Sequence, residues 1–144
     1  MLKCKGFTLI EIITVMFIIG IITAIAIPNY TSMAEQGMAQ AAKNNLMVIG
    51  NAQKNYFLNQ GTYCSTCETL SSINTTLSLN ISDNNYSYAC ILLPAPEGFQ
   101  CTSLRTVSGI HSPSSVGITY NPNPPTFYCL GNQTSYCPSG TIAN

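Results

Sequence analysis

The stretch GFTLIEIITVMFIIGIITAIAIPNY, residues 6–30, decides the architecture of this 144-residue chain. From Phe7 to Ile27 there are 21 residues with one charge, Glu11. At 1.5 Å per residue they make about 31 Å of helix, which matches a hydrocarbon core of roughly 30 Å. Lys3 and Lys5 stand just before it. Basic residues stay on the cytoplasmic side, so the short leader is expected inside and the rest of the chain outside.

Three accounts of this segment compete. A secretory signal has an apolar region of about 7–15 residues and is cut after it at a small-residue site. The run here is longer, and Pro28-Asn29-Tyr30 does not resemble such a site. A plain membrane anchor accounts for the length and the lysines but leaves Glu11 unexplained. A charge at mid-bilayer costs about 2.5–3.5 kcal/mol, although snorkelling near a helix end lowers that cost.

The third account is a resemblance. Gly6 followed by Phe7-Thr8-Leu9-Ile10-Glu11 resembles the class III signal of type IV prepilins and pseudopilins, and the likeness continues through Gly20, Pro28 and Tyr30. It is close over residues 1–30 and general beyond. The resemblance implies that a prepilin peptidase removes residues 1–6 by cutting between Gly6 and Phe7 and methylates the new amino terminus on Phe7. It also implies that Glu11 meets the terminal amine of an adjacent subunit and sets register during assembly. A carboxylate in the first turn suits the helix dipole, and in apolar surroundings it needs a cation. Similar filaments melt the helix between the positions of Gly20 and Pro28. A gentle proline kink is the competing expectation here.

Residues 29–60 change character. Met38, Ala42, Leu46, Ile49, Ala52 and Tyr56 recur at steps of three and four, an apolar stripe on an otherwise polar helix. A continuous helix over 7–60 would be about 80 Å long, more than a small head can bury, so its first half must sit in lipid or against other subunits. Gly61 is expected to end the helix.

Residues 61–144 read as a disulfide-rich β head. Strands are expected at 86–93, 100–107, 116–120 and 126–130, separated by Pro/Gly/Asn turns, with a connecting region containing one short helix before them and a loop after them. The expected fold is α+β: a long N-terminal helix, hydrophobic in its first half, packed against a small antiparallel sheet of three to four strands with disulfide-stapled loops. Six cysteines beyond residue 60 indicate an oxidising compartment. Short separations favour Cys64–Cys67, Cys90–Cys101 and Cys129–Cys137, the last also resembling the disulfide-bounded loop of type IV pilins. Pairing of Cys64 or Cys67 with a strand stays open.

Catalytic and nucleic-acid chemistry find little footing. Five basic and five acidic residues give zero formal charge, hence no basic patch for nucleic acid. The acids are scattered, and there is no phosphate loop, nucleophile elbow or metal-ligand spacing. His111 reads as an exposed loop residue, and the sequons at Asn74, Asn80, Asn85 and Asn132 as surface composition. No enzyme activity, cofactor or metal is expected.

The expected function is a structural subunit of a type IV pilus: a single-pass precursor in the bacterial inner membrane, then part of a cell-surface filament. Its partners would be other copies, other pilins, the prepilin peptidase/methylase and the inner-membrane assembly machinery. One alternative is a pseudopilin of a type II secretion system. Relatives of that kind commonly bind calcium through a C-terminal acidic loop, yet no acid follows Glu97 here. The other is a monomeric membrane-anchored binding module.

Overall fold

The computed structural model describes residues 6–94, 98–106, 115–120, 125–130, 137–138 and 140–143, the side chains of Pro28 and Ala143 excepted. Lys3, Cys4, Lys5, Val107, His111, Asn132 and the turns at 95–97, 108–109 and 121–124 lie outside these residues. The chain divides into two compact units, residues 1–33 and 34–144.

Helix α1 runs from Leu9 to Gln60 and so contributes to both units. In the first unit, among the described residues, the large apolar side chains between Phe7 and Ile27 are 49–83% exposed. In the second unit the stripe is covered. Ala42, Leu46 and Ile49 are fully buried, while Met38, Ala52 and Tyr56 are partly buried against the same core. Burying a Leu or Ile side chain is worth about 1.5–3 kcal/mol, which is what holds this half of the helix to the head. The helix stops at Gly61, whose φ of +75° is the left-handed conformation of a helix end, with its N–H donating to the Phe57 carbonyl at 2.8 Å.

The connecting region contains α2, Leu70–Thr76, started by a capping box in which Thr69 and Ser72 exchange side-chain and backbone hydrogen bonds. Its Ile73 and Leu77 enter the core. The sheet then follows in chain order as β1 Tyr86–Leu93, β2 Gly98–Arg105, β3 Ser115–Tyr120, β4 Thr126–Leu130 and β5 Ile142–Ala143. The first four strands are antiparallel neighbours, and β5 pairs in parallel with β4. Two expectations need correcting. Strand β2 begins earlier than 100, because Gly98 and Phe99 pair with Leu93 and Leu92 as the hairpin closes. The tail is not all loop, since Ile142 and Ala143 find ladder partners in Tyr128 and Cys129.

Alternation along the strands sends Tyr86, Tyr88 and Cys90 of β1, Phe99 and Cys101 of β2, and Val116 and Ile118 of β3 onto the buried face beneath α1. On the opposite face Tyr128 lies over Gly117, its register partner, where any β-carbon would run into the phenol ring.

Candidate functional site

The start of α1 is where chemistry concentrates in the first unit. Gly6 and Phe7 precede the helix in irregular, exposed backbone. Thr8 is the N-cap residue and Glu11 the third helical residue. The Thr8 hydroxyl and backbone N–H donate to Glu11 Oε2 at 2.7 and 2.8 Å, and the Glu11 N–H in turn lies 3.4 Å from Thr8 Oγ1. This is a capping box, Thr-x-x-Glu, and its sequence signal is present in Thr8-Leu9-Ile10-Glu11. Sequence reasoning assigned Glu11 only to a charge on another subunit and overlooked this local partner.

The remaining polar groups of the span are also satisfied locally. Thr14 Oγ1 donates to the carbonyls of Ile10 and Glu11, and Thr23 Oγ1 to those of Ile19 and Gly20. A helix in lipid has no water to hydrate such hydroxyls, so back-bonding to the preceding turn removes most of their cost. Helix α1 passes through Gly20 and Pro28. It is long and apolar enough to cross a membrane.

In the second unit polar contacts fix α1 on the head at several levels. Glu35 pairs with Arg105 of β2 at 3.0 Å, and the same guanidinium reaches Met38 Sδ and lies over the Tyr86 ring. Ten residues after Glu35, Asn45 Nδ2 donates to the Tyr88 hydroxyl at 2.9 Å, and that hydroxyl donates to Asp83 Oδ2. Asp83 Oδ1 accepts the N–H groups of Asn85 and Tyr86, which turns the chain into β1. Burial pushes the Tyr86 and Tyr88 hydroxyls above their ordinary pKa, and the bond to the Asp83 carboxylate adds to the shift of Tyr88. Gln53 is fully buried and accepts the Cys64 N–H at 2.9 Å, drawing the post-helix turn back onto α1. On the other flank, the Lys43 and Lys54 ammoniums sit over the rings of Phe127 and Tyr120.

Three disulfides staple the head: Cys64–Cys67 in the post-helix turn, Cys90–Cys101 between facing residues of β1 and β2, and Cys129–Cys137 between β4 and the tail. The first is tied to the sheet edge as well, because the Cys67 carbonyl accepts the Cys90 N–H at 2.7 Å. Among the described residues no three side chains of metal-ligating type come together.

The chain thus combines a lipid-length helix, with a capped acid at its start, and an α+β head packed on the second half of that helix. Comparison with known proteins finds likenesses over parts of the chain. The profile of the prokaryotic N-terminal methylation motif matches residues 1–27. The chain is 44% identical over 59 residues, 41% of its length, to the type IV major pilin protein PilA of Myxococcus xanthus. It is also 34% identical over 71 residues to the type II secretion system core protein G of Escherichia coli, and 37% identical over 69 residues to that of Pseudomonas aeruginosa. These matches span 27% of the first relative and 49% of each of the other two. The chain thus carries the N-terminal methylation motif and is similar, over part of its length, to a type IV pilin and to type II secretion core proteins G. The signal motif and the apolar helix fit a membrane-anchored precursor.

Proposed function

We propose that the chain is a structural subunit of a type IV pilus, stored in the inner membrane as a single-pass precursor and assembled into a surface filament. On this reading a prepilin peptidase cuts between Gly6 and Phe7, methylates Phe7, and leaves residues 7–28 as a span that passes from lipid into a filament core. The observation that carries it is the exposed apolar surface from Phe7 along α1 to Ile27, in which Glu11 is the one charge. A surface so apolar needs lipid or identical helices around it. Residues 61–144 then form the exposed head, and chemistry is left to the assembly machinery rather than to this chain.

Glu11 has the role of register. Its carboxylate is satisfied by Thr8 while the subunit is alone, and in the filament it accepts the Phe7 ammonium of the next copy. Gly20 and Pro28 mark the part of the span where helical bonds are weakest and where packing in a filament can open them.

A second reading, a pseudopilin of a type II secretion system, is supported by the core protein G relatives, one of which, from Vibrio cholerae, matches over 60% of this chain. The pilus is favoured by the head itself. It carries three disulfides, and no acid follows Glu97 to build a C-terminal calcium loop. Electron microscopy of material sheared from cells tests both. Filaments of this chain on the surface support the pilus. Their absence, together with loss of protein secretion when the gene is removed, supports the secretion role.

A further inference from the structure

The second unit is poor in charge, and the few charged side chains it has are unevenly engaged. Glu35 and Arg105 pair with each other, and Asp83 is held by Tyr88 and two backbone N–H groups. Among the described residues neither Lys54 nor Glu68 has a partner of opposite charge.

These two lie on different flanks of the head, Glu68 at the β1 edge and Lys54 on the side of α1 that meets β3 and β4. Glu68 follows Cys67, whose carbonyl is bonded to Cys90, so the exposed Glu68 stands beside β1 at one edge. Lys54 projects from α1 over Tyr120 of β3, its ammonium 4.3 Å from the ring centre. On that second flank Lys54 also rims an apolar cleft of about 50 Å³ lined by Met47, Gly50, Phe99, Ile118 and Phe127. Gly50 leaves the cleft open where α1 lies close to the sheet, since a β-carbon there would stand 3.3 Å from Ile118 Cδ1.

We infer that the Lys54 flank of one copy docks the Glu68 turn of another, with the carboxylate meeting the ammonium at the rim of the cleft. Two different patches brought together in this way make a heterologous contact, which builds an open helical filament when the rotation between copies does not close into a ring. One exposed ion pair is weak by itself. Its contribution is to select which flanks meet and to reject wrong registers, which electrostatic complementarity does more effectively than it adds affinity. The inference rests on the filament reading above and supplies a lateral contact between heads in addition to the one at Glu11.

The test uses the full chain in a host that assembles it. Lys54→Glu and Glu68→Lys, each placing like charges together, should lower the yield of sheared filament at least about tenfold at an unchanged membrane pool. The double variant Lys54→Glu/Glu68→Lys should recover to within about threefold of the original. On unaltered filaments grown from mixed isotopes, a zero-length carbodiimide should join Lys54 of one copy to Glu68 of another. Single variants at full yield, or filaments in which that cross-link never forms between copies, overturn the contact and leave the filament reading standing. If the unaltered chain makes no filament, both fall together.

Discussion

Thr8 and Glu11 cap each other: two donors of Thr8 converge on one carboxylate oxygen, at 2.7 and 2.8 Å, across the first turn of α1. The acid that stands out in an apolar span therefore has a partner before any second subunit arrives. On the proposed reading, moving it from lipid to filament is an exchange of partners rather than the rescue of a bare charge.

That exchange makes Thr8 and Glu11 separable. Glu11→Ala should leave leader removal and membrane insertion intact and cut the yield of sheared filament strongly. Thr8→Ala removes a cap worth about 1 kcal/mol but spares the charge, so its yield should fall less. Quantifying sheared filament against the membrane pool checks both. Normal filaments from Glu11→Ala would remove Glu11 from assembly.

The Asn45–Tyr88–Asp83 cluster predicts an alkaline limit to the stability of the head. Burial raises the folded pKa of Tyr86 and Tyr88 above the unfolded value of about 10. Below that value both states keep the phenolic protons. Above it the unfolded chain sheds protons that the folded chain retains, so the stability is full below about pH 10 and declines as pH rises. Denaturant unfolding between pH 7 and pH 11 should follow this course. Tyr88→Phe should flatten the decline and cost about 1–3 kcal/mol at pH 7, because Asp83 and Asn45 lose a buried partner.

Gly117 is required by Tyr128 on the outer face of the sheet. Gly117→Ala pushes a methyl group into the phenol ring and should destabilise the head by about 1–3 kcal/mol in thermal unfolding. Adding Tyr128→Ala should return part of that loss; if it does not, the clash is not the cause.

Arg105 ties β2 to the first turns of α1 in the second unit. The side chains of the Glu35–Arg105 pair are 16% and 8% exposed, so Arg105→Leu strands a poorly hydrated carboxylate and should cost about 1–3 kcal/mol. Amide exchange should accelerate first near Glu35 and Met38, while Leu46 and Ile49 stay protected. Uniform acceleration along α1 would argue against a local tie.

The sequence made legible whatever depends on local period. The stripe through Ala42, Leu46 and Ile49 and the alternation of Tyr86, Tyr88 and Cys90 both came through, because burial imposes those periods on residue choice. Gln53 was passed over although it lies four residues after Ile49. A polar side chain on the stripe makes sense only once the Cys64 N–H, eleven residues on, is folded back to it. The Glu35–Arg105 pair, seventy residues apart, has no local signal at all. Strand β5 is two residues long and exists only through its partner β4. At the candidate site the Thr-x-x-Glu signal was present but was outweighed by the demand for a cation near Glu11.

The central claim is that the apolar helix is retained and becomes the start of the mature subunit. Intact-mass and amino-terminal sequencing of the chain purified from membranes or filaments tests this most directly. The account predicts a chain lacking residues 1–6 that begins with N-methylated Phe7. A mature chain that starts after Ile27, or one that retains Met1 in surface material, would contradict it.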